Sequence, residues 1–290
     1  MAYWENLKML PIHKIIWHEA RTANRPERIP ERSEAMEDTD QIKSYLKAYE
    51  WGGPFSALQL YHLRALSKMI RPRDIVLDLA CGPGPLLLEL AQLYPRCTFI
   101  GVDLSAPMLG VLRDSAAARS IKNIEILHED IRDLPSLNNR KIDLVITTLA
   151  LHHLPDFEGL RQTFKRFNDL LVPDGGFYVF DFGLLRSSRT RALLLAESAK
   201  TAPPITVIDQ DQSLQAAFVI DDVVRLARAC LRSPFSASSS SFVDYFYFLQ
   251  TAARTNPAES VKKYISSLWD ELSPSNKIEY LMLKLLRRKR

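Results

Sequence analysis

Short apolar runs alternate with amphipathic stretches from residue 74 to about residue 183. Five of the runs are continuous enough to predict strands buried on both faces: DIVLDLA, TFIGVDL, IEILHED, IDLVITTLAL and GGFYVFDF. Three of the stretches between them have helical spacing: GPLLLELAQLY, APMLGVLRDSAAAR and DFEGLRQTFKRFNDLL. This βαβ order predicts an α/β fold, a Rossmann-like doubly wound sheet that is mostly parallel and has helices on both faces.

Less regular segments flank this core. Residues 1–70 are helical in pattern and show no strand signal, and residues 184–217 are typical of an insertion containing a helix and a loop around Pro203-Pro204. Further along, FSASSSSF fits a strand or a loop equally well, whereas DYFYFLQTAA is strand-like. Asn256-Pro257 and Ser273-Pro274 are helix-start signals, so two terminal helices are expected.

Composition narrows the class of protein. The 290 residues are 47% hydrophobic and 25% charged, which is enough apolar material for a full core. The three cysteines include no CxxC pair, so a disulfide scaffold and a thiolate zinc site are disfavoured and a reducing, cytoplasmic location is expected. Neither a signal peptide nor an apolar run of about 18 residues is present, so no membrane span is predicted.

The net charge of +4 is concentrated at one end. Five of the 38 basic residues fall between Lys284 and Arg290, and without them 33 basic residues face 34 acidic ones, a net charge of −1. A neutral body is poor support for nucleic-acid binding. The expected structure of the tail is a solvated, basic helix terminus that suits the helix dipole, with contact to RNA or anionic lipid as the alternative.

A glycine-containing turn follows the first predicted strand. Asp78-Leu79-Ala80-Cys81-Gly82-Pro83-Gly84 lies between a strand and a helix, where glycines let a ligand approach the backbone. Asp103, at the end of the second strand, is placed to accept from ribose hydroxyls, which suggests a nucleoside-containing cofactor. NAD is disfavoured because Leu87 occupies the third glycine position, and an ATP P-loop is excluded because no GKS or GKT follows.

Together these motifs resemble the class I S-adenosylmethionine-dependent methyltransferases. The resemblance rests on five segments in the right order and spacing: VLDLACGPG, GVDLS, HEDIRDLP, IDLVITTLALHHLPD and LVPDGGFYVFDF. It covers residues 74–183 and is expected to continue to about residue 254. It implies a seven-stranded sheet, mostly parallel, whose last strand is antiparallel, and S-adenosyl-L-methionine as cofactor.

The resemblance also implies cofactor contacts near the first two strands. Asp78 and the backbone of Ala80, Gly82 and Gly84 would face the methionine part of the cofactor, and Asp103 would hold the ribose hydroxyls. Simpler roles remain open, since Asp78 could be a loop cap and Asp103 could cap the helix that begins near Ser105.

Four further contacts are implied for the adenine and the sulfonium. Leu104 would pack against the adenine, Asp130 would accept from its amino group, and the Ile131 amide would donate to a ring nitrogen. Asp130 could instead be only a turn residue. Thr148, at the end of the fourth strand, would line the sulfonium region, although some relatives have Asn there.

Histidines are the candidates for acid–base chemistry. His153, beside His152 at the rim after the fourth strand, and His62, on the preceding helix, are candidate catalytic bases because imidazole titrates near neutrality. No metal site is predicted, because adjacent histidines without a third ligand make a poor pair. Tyr45, Tyr49 and Trp51 are expected either to form an aromatic lid or to pack within helices.

The sequence therefore predicts a methyltransferase acting on a small molecule through oxygen, nitrogen or carbon. No [DNS]-P-P-[YFW] signature follows the fourth strand, which disfavours amide, exocyclic-amine or adenine-N6 acceptors. RNA or protein methylation, or a non-catalytic binding subunit, are the alternatives. The expected organisation is a helical lid region at 1–70, a methyltransferase domain at 71–254 with the insertion at 184–217, and a helical extension with a basic tail at 255–290. The lid region and the insertion are expected to meet over the carboxyl end of the sheet.

Overall fold

A computed structural model describes residues 12–200 and 202–290. Its central sheet contains five parallel strands in the order β3-β2-β1-β4-β5. Their bounds are β1 Ile75–Leu79, β2 Thr98–Asp103, β3 Ile124–His128, β4 Ile142–Thr148 and β5 Leu171–Phe182. The predicted doubly wound α/β fold is confirmed, because each apolar run forms a strand that pairs in parallel with its neighbour.

Three antiparallel pairings extend the sheet beyond β5. The order continues as β7-β6-β8, with β6 at Phe235–Ser240, β7 at Phe246–Thr251 and β8 at Arg287–Lys289. The serine-rich segment is thus a strand. The sheet has eight strands and not the seven expected, because residues 287–289 pair with the edge of β6.

Helices cover both faces of the sheet. The described helices are α1 Ile12–Arg21, α2 Thr39–Tyr49, α3 Ser56–Leu66, α4 Pro85–Leu93, α5 Ala106–Ala118, α6 Phe157–Leu170, α7 Ser188–Ser198, α8 Pro204–Ala216, α9 Ile220–Cys230, α10 Glu259–Glu271 and α11 Pro274–Leu285. Helices α3, α4, α5 and α10 share one core cluster with alternate strand residues such as Val76, whereas α6 and α9 share the other with residues such as Leu77. Alternation along each strand therefore supplies both cores.

The N-terminal region and the insertion meet, as expected. Gln41 on α2 donates to Asp209 on α8 at 2.5 Å, and the hydroxyls of Ser44 and Thr206 lie 2.6 Å apart. Helix α3 differs from α1 and α2, because it packs into the sheet core. Residues 1–11 of the expected lid, and Thr201 of the insertion, lie outside the described residues.

The basic tail is not a solvated helix terminus, so that expectation is wrong. Beyond α11 the chain becomes β8, and its arginines return to the body of the protein. The Asp244 carboxylate, 2% exposed, accepts from Arg25 at 2.6 Å, from Arg288 at 2.7 Å and from Arg290. The Arg287 guanidinium lies 4.0 Å from the centre of the Phe248 ring. Burial of one carboxylate thus requires the cations that the tail carries.

Three apolar side chains form an outward-facing stripe on the last helix. Ile278, Leu281 and Leu285 on α11 are 41%, 42% and 70% exposed, whereas Tyr280 is buried. Truncation after Leu283 would therefore disturb the tail contacts, not the packing of this stripe. Among the described residues, no helix combines the length and apolar character needed to cross a bilayer.

Candidate functional site

The turn between β1 and α4 has an unusual backbone. Ala80, Gly82 and Gly84 have φ angles of 54°, 55° and 69°, all in the left-handed region. That conformation costs a non-glycine residue such as Ala80 roughly 1 kcal/mol or more. A side chain at Gly82 would also bring its Cβ within 3.3 Å of the Met108 sulfur. The turn is therefore shaped so that its backbone borders open space at the carboxyl end of the sheet.

Asp103 ties the end of β2 to this turn. Its carboxylate accepts from the Gly82 amide at 2.7 Å and from the Ser105 amide at 2.8 Å. Burial raises the pKa of Asp103, although these two amides oppose the shift. The helix cap on α5 is supplied by Ser105 itself, whose hydroxyl accepts from the Met108 amide. Each carboxylate oxygen of Asp103 retains acceptor capacity for a ligand hydroxyl.

A cavity opens beside these residues. The empty space in it and in the solvent at its mouth is together about 690 Å³. The enclosed room for a water-sized molecule is only about 80 Å³, below the roughly 300–1,000 Å³ of typical ligand pockets. Seven of the predicted site residues line it: Ala80, Gly82, Asp103, Leu104, Asp130, Ile131 and His153. Four do not: Asp78, Gly84, Thr148 and His62.

Asp78 is a buried carboxyl group behind the cavity wall. It is 4% exposed, and burial, together with the charge of Asp103, raises its pKa from 3.8 to about 8. No described residue forms a salt bridge with it within 4.0 Å. A cationic ligand group beside Asp78 would stabilise the ionised carboxylate, which fits the ammonium of a methionine moiety.

Asp130 is held by a neighbouring arginine. The Arg132 guanidinium donates to both Asp130 carboxylate oxygens, at 2.9 Å and 2.5 Å, and also pairs with Glu34 at 3.0 Å. Burial would raise the pKa of Asp130, but the hydrogen bonds from Arg132 outweigh it and the pKa is lowered. An adenine amino group would share this carboxylate with Arg132.

Gly84 and Thr148 stand next to the cavity lining but outside it. A Cβ at Gly84 would lie 2.4 Å from Leu112 Cδ1, so this glycine allows α4 and α5 to pack closely. Thr148 ends β4 and pairs with Phe180. The cavity is lined instead by the next two residues, Leu149 and Ala150, where Leu149 has a φ of 52°.

His62 lies in the core between α3 and the sheet. It is 3% exposed, its Nδ1 lies 2.8 Å from the Tyr178 hydroxyl, and its ring packs 4.7 Å from that of Phe180. Burial lowers its pKa to about 3. The structure therefore separates His62 from the cavity, whereas it places His153 there.

The two adjacent histidines each meet a carboxylate. His153 Nδ1 lies 2.9 Å from Glu31 Oε2, and His152 Nδ1 lies 2.6 Å from Asp181 Oδ1. Burial would lower the pKa of His153, but the hydrogen bond and charge of Glu31 outweigh it, so the pKa is raised. Burial would raise the pKa of Glu31, but other interactions, chiefly the hydrogen bond and charge of His153, outweigh it, so the pKa is lowered.

Sequence reasoning missed Glu31 and Asp181. Glu31 lies in the irregular segment between α1 and α2, where no pattern marks it. Asp181 did carry a signal, because it is a single acidic residue within the apolar run FYVFDF, and a carboxylate in a strand buried on both faces requires a partner.

The cavity is roofed by the N-terminal segment. Glu34, Ala35, Met36 and Tyr45 line it from above, and the Ser105 hydroxyl donates to the Met36 carbonyl at 2.5 Å. Of the aromatic residues considered for a lid, Tyr45 borders the cavity, Tyr49 packs behind it with a ring separation of 4.6 Å, and Trp51 packs against the core.

Comparison with known proteins agrees with this geometry. Residues 76–175 match the family described as a methyltransferase domain. The chain is 37% identical over 86 residues to trans-aconitate 2-methyltransferase of Deinococcus radiodurans, covering 30% of each chain. It is 34% identical over 123 residues to a tRNA (guanine-N(7)-)-methyltransferase of Chloroflexus aggregans, covering 40% of this chain and 52% of the relative. The chain thus spans about half or less of these relatives.

Similarity of fold extends further than similarity of sequence. The crystal structure of a SAM-dependent methyltransferase from Aquifex aeolicus has a TM-score of 0.53 at 14% identity, covering 74% of this chain and 98% of that one. The matched domain contains the turn, Asp103 and Asp130, in the order that the fold requires. Residues 76–175 are thus similar to a methyltransferase domain, and the chain shares the fold of that solved SAM-dependent methyltransferase.

Proposed function

We propose that the protein transfers a methyl group from S-adenosylmethionine to a small-molecule acceptor. The observation that carries this proposal is one roofed cavity bordered by the glycine turn, Asp103 and His153. When bound, S-adenosylmethionine would supply an electrophilic methyl group on a sulfonium. The residues of the chain would bind it, exclude water and align the acceptor, which is the main requirement of an in-line displacement.

The residues that would hold the cofactor line the cavity, except Asp78, which is buried behind its wall. Asp78 would face the methionine ammonium, the Gly82 backbone would border the methionine chain, and Asp103 would accept from the ribose hydroxyls. Leu104 and Ile131, which both line the cavity, would enclose the adenine near Asp130. His153 would contact the acceptor from the opposite side, where Ala150 and Leu154 complete the wall.

The roof supports a small acceptor. It is fixed to the insertion by the hydrogen bonds of Gln41 with Asp209 and of Ser44 with Thr206. It is also fixed to the domain by Ser105. A folded macromolecule would have to displace these contacts, whereas a small molecule needs only local opening.

Charge argues against RNA as the acceptor. The carboxylates of Glu34, Asp103 and Asp130 line the cavity. Arg288 and Arg290 of the tail are engaged with Asp244. A phosphate backbone would meet acidic groups at the cavity and few uncommitted arginines in the tail.

Calorimetry tests the cofactor assignment. We expect S-adenosylmethionine and S-adenosylhomocysteine to bind with micromolar Kd, and NAD much more weakly. The Asp114→Ala variant, which removes an exposed carboxylate on α5, is the matched control for Asp103→Ala. Tight NAD binding without binding of either sulfur nucleoside would contradict the proposal.

Isotope transfer tests the acceptor class. The protein is incubated with S-adenosylmethionine labelled in the methyl group and with separated small-molecule, RNA and protein fractions of a cell extract. We expect label in the small-molecule fraction. Label confined to RNA or protein would reject the acceptor class while leaving the methyltransferase assignment intact.

A further inference from the structure

The two histidines and Glu31 converge on one point, although Glu31 is more than 120 residues away in the chain. Glu31 Oε2 lies 2.9 Å from His153 Nδ1, and Glu31 Oε1 lies 3.8 Å from His152 Nε2. One possible ligand atom from each residue lies within 4.8 Å of the others. The side chains of Glu31 and His152 are 10% and 2% exposed, so the cluster is held in place by packing.

Asp181 fixes which nitrogen of His152 faces the cluster. Its carboxylate accepts from the His152 backbone amide at 3.0 Å and bonds Nδ1 at 2.6 Å, so Nδ1 carries a hydrogen. In neutral His152, Nε2 therefore presents a lone pair towards Glu31 Oε1, too far away for a hydrogen bond. Two acceptors facing one another in a buried space are stabilised by a cation between them.

Nearby charges also favour a cation. Glu31 Oε2 lies 2.9 Å from His153 Nδ1, and Asp181 Oδ1 lies 2.6 Å from His152 Nδ1. The Arg28 guanidinium interacts electrostatically with Glu31 and Asp181. Its N–H groups, however, donate to backbone carbonyls, those of Ala216, His152, Leu154 and Pro155. Two carboxylates therefore face the histidine pair, and among the described residues no arginine or lysine forms a salt bridge with either of them.

We propose that Glu31, His152 and His153 bind a divalent transition-metal ion of the zinc class. Ligand atoms of a tetrahedral zinc site lie about 2.0–2.2 Å from the ion and hence about 3.4 Å from one another. The distances from the two Glu31 oxygens, 2.9 Å from Oε2 to His153 Nδ1 and 3.8 Å from Oε1 to His152 Nε2, lie on either side of that value. Asp181 supplies the carboxylate that commonly orients a metal-bound imidazole.

The ion would have a role at the acceptor end of the cavity. His153 lines that cavity together with Ala150 and Leu154, so a fourth coordination position would open towards the acceptor. Two histidines, one glutamate and an open position form the donor set of catalytic zinc sites. In that role His153 is a metal ligand, and an acceptor oxygen or nitrogen would bind the ion. This role rests on the proposed function, but binding of the ion does not.

Metal binding can be measured on the full chain without any turnover. Chelator-treated protein is dialysed against Zn²⁺, and separately titrated with Co²⁺ while visible absorption is recorded. We expect one ion per chain and the intense d–d bands of four- or five-coordinate Co²⁺. Glu31→Gln and His153→Ala should each weaken binding at least tenfold. His152 is left intact, because its removal would strand the buried Asp181 carboxylate.

A control variant tests whether metal binding is specific to the cluster, and S-adenosylmethionine tests the proposed function separately. His13→Ala removes an exposed imidazole on α1 and should bind metal as the wild type does. Absence of stoichiometric metal, or equal affinity in Glu31→Gln and the wild type, overturns the proposal. A strong thiolate charge-transfer band in the Co²⁺ spectrum overturns it as well, because the ion would then lie on cysteine. Calorimetry with S-adenosylmethionine separately tests the proposed function.

Discussion

Asp78 should make the protein less stable as the pH rises. Its pKa is about 8 in the folded protein and 3.8 in the reference state, a difference of about 4 pH units. At 1.36 kcal/mol per unit, the folded state is destabilised by at most about 5–6 kcal/mol when Asp78 is fully ionised. This destabilisation is absent below the unfolded pKa of 3.8, grows as the pH rises from 3.8 to about 8, and is complete above pH 8. It arises because the folded state keeps the proton of Asp78 to a higher pH than the unfolded state does.

The variant Asp78→Asn isolates this contribution. Urea unfolding of the wild type and the variant is measured between pH 5 and pH 9, and the difference in the free energy of unfolding is plotted against pH. Relative to Asp78→Asn, the wild type should lose roughly 2 kcal/mol between pH 6 and pH 8. Asp114→Asn, an exposed carboxylate on α5, should show no such slope. A flat difference between the wild type and Asp78→Asn would refute the reasoning.

Cofactor binding should release the proton that Asp78 carries in the folded protein. If the methionine ammonium lies against Asp78, binding restores the ionised carboxylate and releases a proton near pH 7. Calorimetry in buffers of different ionisation enthalpy measures that release. We expect it for the wild type and not for Asp78→Asn, whose affinity should also fall. Equal proton release from both proteins would remove Asp78 from the binding site.

Three further changes test other parts of the structure. Gly84→Ala should destabilise the protein by roughly 2–4 kcal/mol in urea unfolding, since it combines a φ of +69° with a Cβ 2.4 Å from Leu112; unchanged stability would contradict the packing role. Asp103→Ala should weaken S-adenosylmethionine binding by about 1–3 kcal/mol in calorimetry, because charge-assisted hydrogen bonds are lost; unaltered affinity would argue against ribose contact. Truncation after Leu283 should lower the Tm, because it removes β8 and leaves Asp244 underpaired, without changing RNA affinity in a filter assay; submicromolar RNA binding lost on truncation would instead favour the RNA alternative.

The local pattern of the chain determined the parallel half of the sheet. Continuous apolar runs such as that of β4 require burial on both faces of the sheet. The segments between them have helical spacing, so a helical crossover joins each strand to the next one in parallel. The turn containing Gly82 and the position of Asp103 follow from the same order, since the carboxyl ends of neighbouring parallel strands meet at one edge. These features depend on residues close together in sequence.

Only the tertiary structure decided the rest, because it depends on contacts between distant residues. Arg287–Lys289 became a strand because β6 offered an unpaired edge and Asp244 required cations, and neither fact is visible in the tail itself. The environment of His153 likewise depends on Glu31 and Asp181, which the fold brings together from separate segments. His62 shows the converse, since a histidine in a helical pattern carries no mark of the apolar face that would bury it.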